Sequence, residues 1–460
     1  MSSSYYHSDT IAAIATAKGK GALAIIRLSG SESFEVMEKI VSQPTRYTNI
    51  LRGENYKKLY RASLHDEGQK LDEAMFCLFK APNSYTGENM VEIYCHGNNF
   101  IVSQILECLL RHCRLAEKGE FTYRAFLNKK IDLTQAEAVG NLLNAETKNA
   151  QKAALYQLEG RLYHKIKELL DRLISLRIIF ELSIDFVEDE VPEYEPGSIL
   201  DKIESLLNDL KTLIETGHDG IIMQEGVKIC LYGAPNVGKS SIFNAFLETE
   251  RAIVTPLPGT TRDYLEEGLS FSGYKIRLYD TAGIQGTKDL IEILGIERSK
   301  KCIEEADIIF YISDPSIEND VDQRLLTALP EEKVIKVLNK ADLIDFDEKK
   351  RDFLLKKDSI LCSTVTKDGL NELKKAIISR FKNMDMEIKS GIITNSRQLA
   401  CVNKAYKSLM KAKEAIENDN GLDFIAFDIQ QASNELEEII GKVTPDDILS
   451  RIFEDFCIGK

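Results

Sequence analysis

Gly233-Ala234-Pro235-Asn236-Val237-Gly238-Lys239-Ser240 matches G-x-x-x-x-G-K-S and follows the apolar run Val227–Leu231. Glycines at those positions let backbone N–H groups close around phosphates, and a helix opening at Lys239 adds positive potential. Lys239 can then reach the β- and γ-phosphates, and the Ser240 hydroxyl can reach Mg²⁺. Val237, Gly238 and Ser241 complete the lining. A second motif, Asp280-Thr281-Ala282-Gly283, follows an apolar run ending at Tyr279. Its carboxylate belongs near the metal, usually through water, and the Gly283 N–H near the γ-phosphate. A third, Asn339-Lys340-Ala341-Asp342, follows Val334–Leu338. A carboxylate there accepts from guanine N1–H and the exocyclic amine, a donor pair that adenine lacks. Each of the last two motifs alone could be a turn or a strand-end carboxylate. All three in order, each after a strand, mark a guanine-nucleotide site between Gly233 and Thr364.

Between the first two motifs lies Thr255-Pro256-Leu257-Pro258-Gly259-Thr260-Thr261-Arg262-Asp263, where a switch segment belongs. Thr260 or Thr261 can offer a hydroxyl to Mg²⁺ while the γ-phosphate is present, and losing that phosphate releases the loop. Many small GTPases place Gln directly after Asp-x-x-Gly to orient water. Here that position is Ile284, with Gln285 next, and no arginine finger is marked. A monovalent cation could neutralise charge instead, and Glu292 could orient water through a second water. Position alone reads Glu292 as a solvated helix residue.

The elements that must position these groups fall into distinct stretches. Up to residue 125, short apolar runs such as Gly21–Leu28, Ala74–Phe79 and Met90–Tyr94 alternate with turns and read as strands, with helices expected over 31–41 and 98–112. From about 132 the apolar period becomes helical. Thr134 is expected to cap, with Glu137 as its capping-box partner, ahead of one helix or two broken near Gly160. A further helix over about 198–215 should stop at Gly217. From Val227 the pattern is α/β, with strands expected at 274–279, 307–312, 334–338 and 359–363 and a mostly parallel sheet. Helix returns after 384. Phe427–Ile440 stops at Gly441, and Thr444-Pro445-Asp446-Asp447 starts another helix with Thr as cap and Pro at its first position. The simplest arrangement inserts the α/β domain into a helical one.

The 460 residues suffice for two or three domains, and 43% hydrophobic with 29% charged residues fits a globular protein. A net charge of −14 does not attract polyanions overall, so an RNA partner would need a local basic patch or a second protein. No basic segment with an apolar run and cleavage site stands at the N-terminus, and no stretch reaches the length of a membrane span, so a cytoplasmic location without membrane contact is expected. Nine cysteines form no CxxC pair, which argues against structural zinc.

Several segments are similar to the bacterial and organellar MnmE or TrmE family of tRNA-modification GTPases. They are Tyr85-Thr86-Gly87-Glu88, Val91–Gly97, Gly119–Asn128, Asp132–Val139, Pro235-Asn236, Gly259–Asp263 and Phe456-Cys457-Ile458-Gly459-Lys460. The resemblance runs from about residue 10 to the last. It implies a multidomain fold: an α+β tetrahydrofolate-binding and dimerisation domain over 1–125, a discontinuous helical domain over 126–220 and 385–460, and an inserted Ras-like P-loop G domain over 221–384. It implies a homodimer acting with an FAD-dependent MnmG or GidA partner on tRNA. The product carries an aminomethyl or carboxymethylaminomethyl group at C5 of the wobble uridine, its one-carbon unit coming from a tetrahydrofolate derivative. It also implies potassium-dependent GTP hydrolysis: Asn236 ligates K⁺, backbone oxygens around Thr255, Leu257 and Thr260 complete the shell, and Glu292 orients the attacking water. Arg27, Arg124, Asn128 and Lys460 are implied around the folate, with Cys457 nearby.

Three positions depart from the family pattern. Asn98 and Lys129 stand where Gly is usual, and Ser363-Thr364 replaces Ser-Ala in the base-binding segment. A regulatory GTPase of ribosome assembly would share the three nucleotide motifs, and a non-catalytic folate scaffold would share the N-terminal ones. The terminal segments favour tRNA modification.

Overall fold

The computed structural model describes residues 9–42, 56–185, 196–249, 251–252, 266–280, 302–314, 326–327, 329–343, 359–380, 392–418, 421–454 and 456–460. Contacts divide the chain into two compact units: Met1–Gly140, Leu158–Asp189 and Leu422–Lys460 form one, Asn141–Gln157 and Glu190–Gly421 the other.

The first unit is built on a six-stranded sheet of β1 (Ile11–Ile14), β2 (Leu23–Ser29), β3 (Leu59–Asp66), β4 (Gln69–Phe79), β5 (Met90–His96) and β6 (Arg114–Leu115), in the order β3-β4-β5-β2-β1-β6. All pairs are antiparallel except β1 with β6. Strand alternation sends Ile26, Leu28, Phe76, Leu78, Val91 and Ile93 into one core, where Met37 and Ile40 of helix Ser33–Ile40 and Ile105 and Leu109 of helix Asn99–Leu110 cover them. The period of two puts Arg27, Glu92 and Tyr94 on the opposite face. The same unit holds helices Arg161–Asp185 and Leu422–Ile440, which pack together.

The second unit carries a seven-stranded sheet of β7 (Val227–Tyr232), β8 (Arg251–Ala252), β9 (Glu266–Phe271), β10 (Tyr274–Asp280), β11 (Ile308–Ser313), β12 (Val334–Leu338) and β13 (Ser359–Leu361). Its order is β13-β12-β11-β7-β10-β9-β8, parallel from β13 to β10 and antiparallel beyond. The expected strands are present. β9, whose Glu-Glu-Gly start hides its alternation, adds to them. Helices Pro196–Glu225 and Ser396–Glu417 pack in this unit, and Ala153 and Tyr156 of helix Lys148–Leu158 share the core of β7 and β10.

Four local expectations are corrected. The helix expected to stop at Gly217 runs on to Glu225 and ends at Gly226, whose φ is 94°. Gly217 and Gly220 serve close packing instead: a Cβ on Gly220 would lie 2.0 Å from the Ile393 carbonyl oxygen. The cap near 132 sits two residues earlier than Thr134. Asp132 Oδ1 accepts from the N–H groups of Thr134 (2.8 Å) and Gln135 (3.2 Å), and Gln135 Oε1 accepts from Asp132 N–H at 3.1 Å. That is a capping box made by Asp132 and Gln135. Three helices, not one or two, fill 133–185, because the chain breaks before Lys148 as well as at Gly160. The last helix begins at Asp446, and the Thr444 hydroxyl donates to Glu438 O rather than capping.

Candidate functional site

The G-x-x-x-x-G-K-S loop joins β7 to helix Lys239–Thr249, so its residues stand at the carboxyl end of a central parallel strand. Positive φ and close neighbours dictate its glycines. A Cβ on Gly233 (φ 151°) would lie 2.1 Å from the Ile312 carbonyl oxygen, and one on Gly238 (φ 97°) 2.1 Å from Asn339 Nδ2. Lys239 is 8% exposed and folds back over the loop, donating to the carbonyls of Gly233 (3.0 Å) and Ala234 (2.8 Å). Its ammonium therefore already sits at the mouth of the phosphate cradle. Val237 is buried, while Asn236, Ser240 and Ser241 are exposed.

The base-binding motif is bonded to that loop. Asn339 Nδ2 donates to Val237 O at 3.0 Å, and Lys340 Nζ donates to Asn236 O at 2.9 Å. Asn339 is 1% exposed, and its Oδ1 is buried with no hydrogen-bond partner among the described residues. Asp342 is oriented by Ser363, whose hydroxyl donates to Asp342 Oδ1 at 2.5 Å. The Ser363 N–H is engaged by Asp368 O at 3.0 Å. The backbone donor available to a guanine oxygen in this turn is therefore that of half-buried Thr364 rather than Ser363. Sequence reasoning passed over Asp314. It lies just beyond β11, 4% exposed, and pairs with Lys340 Nζ at 2.9 Å. The rule that flagged the other motifs, a polar residue directly after a parallel strand, would have found it.

Asp280 ends β10 beside β7, at the same sheet edge as the phosphate loop. Thr255, Leu257, Thr260, Thr261, Gly283, Ile284, Gln285 and Glu292 lie outside the described residues.

The N-terminal expectations meet in the first unit. Arg27 Nε pairs with Glu92 Oε1 at 2.8 Å, its guanidinium lies 6.0 Å from the Tyr85 ring centre, and the Tyr94 hydroxyl donates to Glu92 Oε2 at 2.6 Å. Burial, helped by the Glu92 hydrogen bond, pushes the Tyr94 phenol above its ordinary range, so it stays a donor. The Tyr85–Glu88 and Gly119–Asn128 segments touch, with Asn128 Nδ2 donating to Thr86 O at 2.7 Å. Arg124, expected near the folate, stands in a cluster of carboxylates. Its side chain is 4% exposed and pairs with Asp9 (2.9 Å), Glu88 (3.1 Å) and Glu120 (2.9 Å). It is the buried base that sets those carboxylates. The chain's last residues lie along the same domain: Phe121 N–H donates to Lys460 O at 3.1 Å, and Gly459 (φ 94°) passes so close to Ile14 that a Cβ would meet its carbonyl oxygen at 2.2 Å. Cys457 is exposed, whereas seven of the nine cysteines are buried. Asn98 takes an extended conformation and caps helix Asn99–Leu110 by accepting from Phe100 N–H, so that turn does not need the usual Gly. Lys129 does adopt the left-handed conformation, at φ 56°.

Comparison with known proteins covers both units. A family model described as GTP-binding protein TrmE N-terminus matches residues 10–130, and one described as MnmE helical domain matches residues 133–457. The chain belongs to the MnmE family. The tRNA modification GTPase MnmE of Aquifex aeolicus (strain VF5) is 40% identical over 458 residues, covering 98% of this chain and all of that one. The MnmE of Clostridioides difficile (strain 630) is 39% identical over 457 residues, covering 98% and 99%. Among solved structures, the G domain of the T. maritima FeoB iron transporter aligns with a TM-score of 0.26 at 30% identity, over 33% of this chain and 97% of that one, and decides nothing further. As a member of this family with the G-x-x-x-x-G-K-S loop, Asp280 and the Asn339–Asp342 turn in order after parallel strands, the chain is a GTP-hydrolysing enzyme, and binding of GTP with Mg²⁺ is consistent with it. Among the described residues, no helix is long and apolar enough to cross a membrane.

Proposed function

We propose that this GTPase drives a conformational step in modifying C5 of the wobble uridine of tRNA. The observation that carries the reading is the bonding of the phosphate loop to the guanine-reading turn through Lys340 and Asn339, in a chain similar along almost its whole length to tRNA modification GTPases. In this reading the chain has four parts: residues 1–125 bind a tetrahydrofolate derivative and dimerise, 126–220 and 385–460 form the helical domain, and 221–384 form the G domain. The folate derivative supplies the one-carbon unit. A homodimer works with an FAD-dependent MnmG-like partner, which also supplies much of the surface for tRNA, since this chain carries a net charge of −14. The location is cytoplasmic.

In the G domain, Ser240, Thr261 and Asp280 hold Mg²⁺, which supplies charge neutralisation at the phosphates. Lys239 and the loop N–H groups bind the phosphates, while Asp342 and Thr364 read guanine. Asn236 offers its exposed side chain to K⁺, with Thr255, Leu257 and Thr260 providing backbone oxygens. Glu292 orients water through a second water, where other GTPases use Gln. K⁺ takes the electrostatic place of an arginine finger. In the folate domain, Arg27 and Lys460 face the folate's acidic portion, and Arg124 fixes Glu88 and Glu120 behind them. Arg27 is supported by its place on the sheet face opposite the core, held by Glu92 and Tyr85.

The test is GTP turnover by the full chain in potassium and in sodium salts of equal ionic strength. Turnover should be several-fold faster in potassium; equal rates would remove the cation from the mechanism.

A further inference from the structure

We infer that Asp314 is a positioning residue for guanine-nucleotide binding: its carboxylate holds the Lys340 ammonium beneath the phosphate loop, which makes that loop and the base-reading turn one preorganised piece. The inference depends on GTP binding alone and not on the potassium or tRNA reading.

Strand order puts Asp314 in place. β11 lies between β7, which feeds the phosphate loop, and β12, which feeds Asn339-Lys340. A residue just past β11 therefore stands between the two loops. The Asp314 side chain is 3% exposed and its Oδ2 is 2.9 Å from Lys340 Nζ. The same Nζ donates to Asn236 O at 2.9 Å, and Asn339 Nδ2 holds the next carbonyl, Val237 O, at 3.0 Å. One dipeptide thus grips two successive carbonyls of the phosphate loop.

The backbone shows why a grip is needed. Asn236 (φ 66°) and Lys340 (φ 60°) both occupy the left-handed region, which disfavours a side-chain-bearing residue, Lys340 more than Asn236. Such conformations persist only where surrounding contacts fix them. Lys340 is one-third exposed on a four-carbon stem and gains rotamer freedom once unpaired. Its ammonium also needs an opposite charge to stay beside a carbonyl rather than move into water. Asp314 supplies that charge from a buried position, where the pair is screened less than at the surface.

A carboxylate that merely satisfies its own burial would give the same static picture, so the test must separate the two roles. Asp314→Asn and Lys340→Met would be made singly and together in the full chain. Asp314→Ser, which leaves room for a water, would be measured alongside in case the asparagine variant does not fold. A fluorescent GDP analogue reports the dissociation constant, and steady-state turnover reports KM and kcat for GTP. Loss of this buried partner should raise the GDP dissociation constant about tenfold. KM for GTP should rise with it, kcat at saturation should hold within about twofold, and in the Lys340→Met background the Asp314 change should add less than about twofold. A tenfold loss that persists without Lys340 would overturn the inference. So would unchanged GDP affinity in a folded Asp314 variant.

Discussion

Replacing Asp342 by Asn should reverse the base preference of the site, and the geometry says why. The Ser363 hydroxyl oxygen accepts from the backbone N–H groups of Val365 (3.3 Å) and Thr366 (3.2 Å), so its own proton points to Asp342 Oδ1, 2.5 Å away. An Asn at 342 must therefore turn its oxygen to Ser363 and present its NH₂ to the base. Guanine offers two donors there, N1–H and the exocyclic amine. Each hydrogen bond to a charged acceptor is worth about 1.5–3 kcal/mol, so losing both costs about 3–6 kcal/mol, or about 10²- to 10⁴-fold in GDP affinity. Xanthine carries a carbonyl where guanine has its amine, and that oxygen can accept from the new NH₂. The assay is competition of GDP and xanthosine diphosphate against a fluorescent guanine nucleotide on the full chain. Asp342→Asn should bind xanthosine diphosphate more tightly than GDP. Adding Ser363→Ala frees the amide to flip and should narrow that preference. GDP binding within about threefold of the unaltered chain would refute the reasoning.

Other perturbations follow from the first unit. Glu120 is 2% exposed and accepts from Arg114 (2.7 Å) and Arg124 (2.9 Å), so Glu120→Gln should cost about 3 kcal/mol, read by urea unfolding. Burial alone would raise the carboxyl groups of Asp9 and Glu120, but Arg114, with Arg124, holds both below the ordinary carboxylate range. Carboxylates depressed on folding stabilise fully above about pH 4, and that stability disappears as pH falls through their folded-state values. Unfolding of this unit followed from pH 6 downward should therefore steepen below about pH 4, and Glu120→Gln should flatten the slope. Lys129→Gly removes a left-handed lysine and should raise stability by up to about 1 kcal/mol, whereas Lys129→Val should lower it.

The nucleotide site was legible because phosphate chemistry fixes both residue type and spacing. Gly233, Gly238 and Lys239 have few physical substitutes, and their strand-end positions followed from apolar runs. Glycine misled at 217, since a helix-ending Gly and a close-packing Gly look alike until the facing residues, here Ile393 and Leu399, are known. The cap near 132 offered two overlapping patterns, Asp132 with Gln135 and Thr134 with Glu137, and local spacing does not choose between them. Arg124 was legible as a basic residue in a family-like segment, but its burial among carboxylates was not. Glu120 lies one helical turn before it, but its other carboxylate partners, Asp9 and Glu88, are brought to it only by the fold. Asp314 stands past a parallel strand like the flagged motifs, but its partner, Lys340, arrives from the neighbouring strand, so its role was not legible.

The central claim is tested most directly by nucleoside analysis of tRNA from cells that lack this gene, with the gene restored intact or as Lys239→Ala. The account predicts loss of the C5 modification on wobble uridine, recovery with the intact gene and none with Lys239→Ala. Unchanged wobble uridine in the deleted cells would contradict it.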